Sequence, residues 1–580
     1  MNFLSKEYRN TEILYNALVV VDVLLFITQV NDMQKTHLCT RKTGCYFCLR
    51  FVPVVLFLFT VILPIHVFAM ERQTIHIPMR DGKKLAADLY LPNSDPNVEW
   101  PTILIQTPYN RIFYRFDGLP LTTDDYAFVI VDWRGFWGSK NAATPNTNRG
   151  EDGYNCVEWI AQQSWSDGHV GTWGLSALGG VQWETAREQP PHLDACVPMV
   201  RDYFNHYEMY YPGGVLLEKH VAFLDDYYGM GKVIYPHPTH DWLWRFWEGS
   251  TSYANKIGVP MLVVGGWYDY NPEGSVRSFN AIVSRSQSDV RDDHRLLMGP
   301  WRHGGIDEVE QGELKYPEAA GAHEEAALAF LDFWVRGVGE GLTGDPVRWF
   351  DMGRHEWAQS SQWPPADASE KVVYLKANGV LSTNPPVVGS SSTKFPYDPE
   401  RPSPTIGGAL HKAFGEKDLG GPYDISVKVE SRPDAIIFTI PVLPTDVTIA
   451  GPTVATLFAS SDRRDTDFMV RLTDVYPDGR SMIITDGARR GRFRNGFDRE
   501  KLMTPGEVYQ IEVELADTAI TFLKGHQIRI VISSSNWPRF QANPNDGGPL
   551  NNDHATLLVA HNRIYHDVDH PSHITFMVMP

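Results

Sequence analysis

The segment Gly174-Leu175-Ser176-Ala177-Leu178-Gly179 stands where an apolar run, Val170 to Gly174, gives way to a helix-length pattern, Ala177 to Glu188. A serine on a sharp strand-to-helix turn projects its hydroxyl from the sheet. The next backbone N–H, here that of Ala177, then lies beside the oxyanion formed when the hydroxyl attacks a carbonyl. Glycines suit such a turn because bulkier side chains collide in it. The second glycine follows the serine by three residues, so the shorter G-x-S-x-G pattern is not met. A serine nucleophile needs a base, and the base needs an orienting carboxylate. Two later apolar runs end in those types: VPMLVVGGWYD in Asp269 and RLLMGPWRHGG in His303. Each residue also has a plain structural reading, Asp269 as a helix cap and His303 as a turn residue. Three such residues at three strand ends specify acyl transfer through a covalent serine intermediate.

Strand ends meet only if the strands share a sheet. Short apolar runs at 102–106, 128–132, 170–174, 195–200, 259–265 and 295–299 alternate with helical patterns at 154–163, 177–188, 274–284 and 324–337. Strands buried on both faces between helices predict a mostly parallel, doubly covered sheet, and nucleophile, acid and base follow the α/β-hydrolase order. Between Arg201 and Ile257 the rhythm breaks into a segment crowded with aromatic and acidic residues, expected as a helical cap. Its Tyr203, Phe204 and Tyr207, with Trp267, Tyr268 and Trp301 at the strand ends, are candidates to line an apolar substrate cleft. Tyr210, Tyr211, Trp242, Trp244 and Trp247 extend the aromatic set, and gluing the cap down explains it equally well. After Val347 the helical signal fades into short strands separated by Gly, Pro, Asp and Asn turns, as in a β-sandwich or jelly roll. The stretch Asn384 to Pro404 reads as a surface linker. The expected organisation is a targeting segment at 1–70, an α/β-hydrolase domain at 71–346 with its cap at about 201–257, and an all-β jelly roll at 347–580.

The 580 residues carry 52 Lys and Arg against 70 Asp and Glu, a net charge of −18, which argues against a nucleic-acid partner. The first 70 residues are nonetheless net positive. Phe51 to Met70 is a run of twenty uncharged residues behind Arg41, Lys42 and Arg50, long enough for an export signal cut after Ala69 or for a membrane anchor. An exported or anchored protein is expected. Three of the five cysteines precede that run, leaving Cys156 and Cys196 in the body, so the fold is no disulfide scaffold. The cap histidines His206, His220, His237 and His240 lack H-E-x-x-H spacing, and neither a metal nor a cofactor is expected. Nothing in the sequence specifies an oligomeric state.

From Gln73 to the C-terminus the sequence resembles the cocaine esterase and X-Pro dipeptidyl-peptidase superfamily, which includes α-amino acid ester hydrolases and glutaryl-cephalosporin acylases. The resemblance rests on Gln106-Thr107-Pro108-Tyr109, on Asp132-Trp133-Arg134-Gly135 through Ser139, on Glu151-Asp152-Gly153 through Gly171, on Gly299 to His303, and on Asp465-Thr466-Asp467-Phe468 with Asp474-Val475. It implies that the Tyr109 hydroxyl joins the Ala177 N–H in stabilising the oxyanion. It also implies a serine esterase or acylase acting on a small-molecule ester or amide, or on a short peptide. An Xaa-Pro dipeptidyl-peptidase or α-amino acid ester hydrolase remains the alternative, and an exported glycan-binding or scaffold protein the non-enzymatic one. The residue after the nucleophile, usually Tyr in the family, is Ala177 here, which removes a large side chain from beside the acyl pocket.

Overall fold

The computed structural model describes residues 70–93, 95–115, 125–145, 147–387, 389–410, 419–552 and 554–580. The expected signal or anchor at 51–69 lies outside the described residues. Among the described residues no helix is long and apolar enough to cross a membrane.

Ten strands make the first sheet: β1 (Glu71–Pro78), β2 (Lys84–Leu91), β3 (Trp100–Thr107), β4 (Ala127–Asp132), β5 (Ser166–Leu175), β6 (Leu193–Met199), β7 (Leu262–Tyr268), β8 (Arg295–Arg302), β9 (Val347–Asp351) and β10 (Glu356–Ser360). Their spatial order is β1-β2-β4-β3-β5-β6-β7-β8-β9-β10, with all neighbours from β4 to β9 parallel. Every residue of β4 and β7 is buried, as uninterrupted apolar runs require when helices cover both faces. Those helices include α1 (Arg149–Ala161) and α2 (Ala177–Arg187); the insertion then supplies α3 (Glu218–Tyr228) and α4 (Trp242–Thr251), and the chain returns through α5 (Pro272–Arg285) and α6 (Ala322–Trp334). The Asn148 side chain accepts from the N–H groups of Gly150 and Glu151 to start α1, and Gly229, in the left-handed region at φ 68°, ends α3.

The first sheet does not finish at Pro346. β9 pairs with β8 at Val347–Leu296 and β10 pairs back on β9, so the chain leaves this sheet after Ser360. Two short strands that follow the last helix carry the same local pattern as sandwich strands, and only their pairing partner separates the two cases.

Apart from a short hairpin at Glu310–Gln311 and Leu314–Lys315, the remaining strands form one further sheet: β11 (Ser369–Lys376), β12 (Val380–Ser382), β13 (Ser392–Tyr397), β14 (Ile436–Thr439), β15 (Val447–Ser461), β16 (Asp467–Val475), β17 (Ser481–Arg490), β18 (Tyr509–Phe522), β19 (Gln527–Ser533), β20 (Ala560–Tyr565) and β21 (His573–Val578). They pair in the order β13-β20-β15-β18-β17-β16-β19-β14-β12-β11-β21, and β21 also pairs with β15, closing a ring. The joints Gly487–Leu515 and Val380–Thr439 are single residue pairs. They are the corners at which the ring folds into the two faces of a jelly-roll sandwich. β13 lies inside the stretch expected as a surface linker; it pairs with β20, and Phe395 and Tyr397 are buried. Pro and Ser density there hid an alternation that buries every second residue.

A candidate active site at the carboxyl edge of the first sheet

Ser176 sits between β5 and α2 at φ 56°, ψ −119°, a strained elbow that lifts its hydroxyl from the sheet. The glycines around it are explained by contact. A Cβ on Gly174 would lie 2.6 Å from Leu178 Cβ, and one on Gly179 would lie 2.8 Å from the Met199 carbonyl oxygen. Buried Gln182 fixes the turn: its amide donates to the carbonyls of Gly174, Leu178 and Val197, each at 3.1 Å, while its oxygen accepts from Thr172 Oγ1 and Val197 N. Tyr268 of β7 and Arg302 of β8 are register partners, so the next residues, Asp269 and His303, emerge side by side. His303 Nδ1 is 2.7 Å from Asp269 Oδ1 and its Nε2 is 3.0 Å from Ser176 Oγ. Asp269 is buried and also accepts from the Tyr270 N–H at 2.7 Å. With Nδ1–H donating to the carboxylate, Nε2 is left as an acceptor aimed at the serine hydroxyl, the tautomer that a general base requires.

Tyr109 follows the end of β3, and an unforeseen set of residues holds its loop. Asp132 accepts from the backbone N–H groups of Arg111, at 2.8 Å, and Gly138, at 2.9 Å, and pairs with the Arg111 guanidinium. Ser139 Oγ donates to the Asp132 carbonyl and accepts from Ala86 N, while Arg134 makes a two-pronged bond to Asp152. Asp132 therefore ties the Tyr109 loop to the end of β4, Ser139 braces the Asp132 backbone, and Arg134 joins the same strand end to Asp81 and α1. The Tyr109 hydroxyl lies 3.5 Å from that of Tyr228, and its ring is 5.7 Å from that of Tyr227. Cys156 and Cys196 are buried, and burial pushes both thiols up, Cys196 to about 12, so neither offers a thiolate in competition with Ser176.

A family model of the X-Pro dipeptidyl-peptidase (S15 family) matches residues 81–244 and 232–305, which contain Ser176, Asp269 and His303. A second, the X-Pro dipeptidyl-peptidase C-terminal non-catalytic domain, matches residues 343–575. Cocaine esterase of Rhodococcus sp. (strain MB1 Bresler) is 31% identical over 87% of this chain and 98% of its own. The chain belongs to this S15 and cocaine esterase family. Among solved structures, an aminopeptidase from a marine sediment archaeon, Thaumarchaeota archaeon, superposes with TM-score 0.79 at 22% identity, covering 93% of this chain and 99% of the other. An α-amino acid ester hydrolase superposes with TM-score 0.76 at 24% identity, covering 88% and 97%. Both share the fold of this chain over nearly their whole length.

In this S15 family member the aromatic residues expected in the cleft serve mainly as packing. Tyr203 is buried against Trp183 and Tyr253. Tyr207 stacks on Tyr211 and donates its hydroxyl to the Pro238 carbonyl. Trp267 donates to the Phe350 carbonyl, Tyr268 to the Ile483 carbonyl across the seam with the jelly roll, and Trp301 packs between His323 and Trp357. Only Phe204 is half-buried, stacked on His206. Tyr268 and Trp301 are both fully buried, and their contacts lie with Ile483 and with His323 and Trp357. The cap instead reaches the Tyr109 loop through Tyr227 and Tyr228, two ring-bearing residues in the last turn of α3.

Beside the triad lies a cavity of about 420 Å³ between α5, the cap and the jelly roll, lined by Tyr270, Asn271, Glu273, Asp517 and Arg539 among others. Burial, and then the nearby Glu273 carboxylate, push Asp517 up to about 7. A carboxyl whose folded value is raised contributes stability below its unfolded value, near 4, and loses it as pH rises through 7. Asp517→Asn is therefore expected to raise Tm at pH 8 and leave it unchanged near pH 4; calorimetry at the two pH values showing no difference would refute the assignment.

Proposed function

We propose that the protein is a serine hydrolase that transfers the acyl group of an ester or amide to water through a covalent Ser176 intermediate. Ser176 Oγ bonds to the carbonyl carbon as His303 Nε2 takes its proton, and Asp269 holds the imidazole by Nδ1. The Ala177 N–H and Tyr109 hydroxyl receive the oxyanion. Collapse breaks the bond to the leaving alcohol or amine, which takes the proton from His303. Water then attacks the acyl-serine by the same route, releasing the acid and restoring the hydroxyl. The observation that carries this reading is the continuous chain from an elbow serine through His303 at 3.0 Å to Asp269 at 2.7 Å.

An ester is the favoured substrate, because the relative at 31% identity is a cocaine esterase. A fluorophosphonate is expected to label Ser176, and p-nitrophenyl acyl esters to be hydrolysed faster than α-amino esters or Xaa-Pro-anilides. A dominant Xaa-Pro-anilide rate would make the protein a dipeptidyl-peptidase with the same triad. The uncharged run Phe51 to Met70 behind Arg41, Lys42 and Arg50 supports action outside the cytoplasm. Sequencing of the exported protein should begin at Met70 if the run is cleaved, and recovery of the whole chain from the cytosol would contradict export.

A further inference from the structure

The cavity behind Tyr270 has a chemistry that acyl transfer does not use. Neither Ser176, His303, Tyr109 nor Ala177 lines it. Tyr270 is common to the two surroundings: it lines the cavity, and its ring stands 4.8 Å from the His303 ring. Three acceptor oxygens on its wall have no hydrogen-bond partner: Asn271 Oδ1, Glu273 Oε2 and Asp517 Oδ1. Asn271 is more than nine-tenths buried. A buried acceptor without a partner loses its hydration with no return, so such a group is matched by a donor when a ligand is present. Glu273 comes from α5 and Asp517 from β18, so the pair straddles the seam between the first sheet's helical layer and the jelly roll. The remaining wall is mixed: Met209, Leu217, Val276, Leu515 and Phe540 are apolar, Asp486 and Arg539 pair with each other, Glu208 and Arg489 add one charge of each sign, and the exposed Arg277, Asn280 and Glu514 stand at the rim.

We propose that this cavity is a second binding site, distinct from the acyl site, for a small hydrophobic ammonium ion. Its N–H groups are received by Asn271, Glu273 and Asp517, and its apolar body packs against Leu217, Val276 and Phe540. Two like-charged carboxylates left together in a low-dielectric seam are held at a cost that a bound cation removes. Burial raises both carboxyls and Glu273 raises Asp517 further, while Arg277 and Arg539 offset part of the rise at Glu273. Acetylated or alcohol analogues of the same shape lack the charge and cannot relieve it. The site stands whether or not Ser176 is the nucleophile, since no triad atom takes part in it.

The test uses the full-length chain carrying Ser176→Ala, at pH 8, titrated calorimetrically with benzylammonium and with benzyl alcohol as its neutral counterpart. Benzylammonium is expected to bind at least about ten-fold tighter than the alcohol, as charge-assisted hydrogen bonds confer. Adding Glu273→Gln and Asp517→Asn should erase that difference while keeping a cooperative melt. Ala516→Trp, which fills the cavity and leaves both carboxylates in place, should weaken benzylammonium binding by a similar factor. Equal affinity for amine and alcohol would overturn the proposal, as would amine binding that survives both sets of substitutions.

Discussion

Replacement of Ser176 by Ala is expected to lower kcat on a short-chain p-nitrophenyl ester by about 10³-fold or more while changing KM little. The substitution removes the atom that forms the acyl bond and nothing else of consequence: the side chain bonds to His303 at 3.0 Å, and α2 begins without a side-chain cap from Ser176. The elbow is held by Gln182 and by the close approach of Gly179 to the Met199 carbonyl, so it stays formed with alanine at its apex. What survives is the contribution of the Ala177 N–H, Tyr109 and substrate positioning. Asp269→Asn should fall comparably, about 10⁴-fold by analogy with other Ser-His-Asp enzymes, for a different reason. An amide in place of the carboxylate donates toward Nδ1, stabilises the other tautomer and turns a proton on Nε2 toward the serine it should deprotonate. Single-turnover kinetics separate the cases, since acylation is lost in both but only Asp269→Asn keeps a hydroxyl that a fluorophosphonate can reach slowly. Ser176→Ala retaining a tenth of the wild-type rate would place the nucleophile elsewhere.

The parts of this site that were legible in the sequence share one property: their geometry follows from where a strand stops. β7, β8 and the second half of β5 are buried on both faces, hence visible as apolar runs, and the residues just past their ends, Ser176, Asp269 and His303, must share one edge of a parallel sheet. The illegible parts depend on pairing or facing. Gln182 looks like any polar residue in a helix, yet it is buried because its amide completes three carbonyls of the elbow. Trp267 and Tyr268 read as cleft walls because they run up to Asp269, but both are buried and give their polar hydrogens to backbone carbonyls of neighbouring elements. β9 and β10 resembled sandwich strands because the sheet a short strand joins is set by tertiary contact. The cap's aromatic residues allowed both lining and packing; Tyr210, Tyr211 and Trp244 are buried among themselves, while Trp242 stays 67% exposed.

A chain ending at Ser360, without the jelly roll, is expected to be insoluble or molten and to show no esterase activity. The seam it exposes is apolar and continuous with the core of the first sheet. The rings of Trp267 and Trp349 pack on Trp363 at 5.1 and 5.9 Å, Val215 and Leu217 bury themselves with Met469, Ala488 and Phe540, and Tyr207 packs on Phe497 at 5.2 Å. At roughly 1.5–3 kcal/mol for each large apolar side chain returned to water, five such residues cost on the order of 10 kcal/mol, which matches the entire stability of an ordinary domain. Backbone approach is as close: a Cβ on Gly213 of the cap would stand 1.8 Å from the Ala488 carbonyl oxygen. Polar ties add to it, with Asp351 of β9 accepting from Thr521 N at 2.7 Å. Size-exclusion chromatography and near-UV circular dichroism report the outcome; a monomeric, cooperatively melting fragment with wild-type kcat/KM would show the seam to be dispensable. The effect on chemistry has its own cause, separable from global unfolding by Tyr268→Phe in the full chain, which removes only the hydroxyl and is expected to lower kcat while the melt stays cooperative. Ile483 lends its carbonyl to the Tyr268 hydroxyl at 3.1 Å, and Tyr268 is the residue before Asp269. A region with no group at the reacting centre thereby sets where the orienting carboxylate stands, and through His303, where the proton of Ser176 can go.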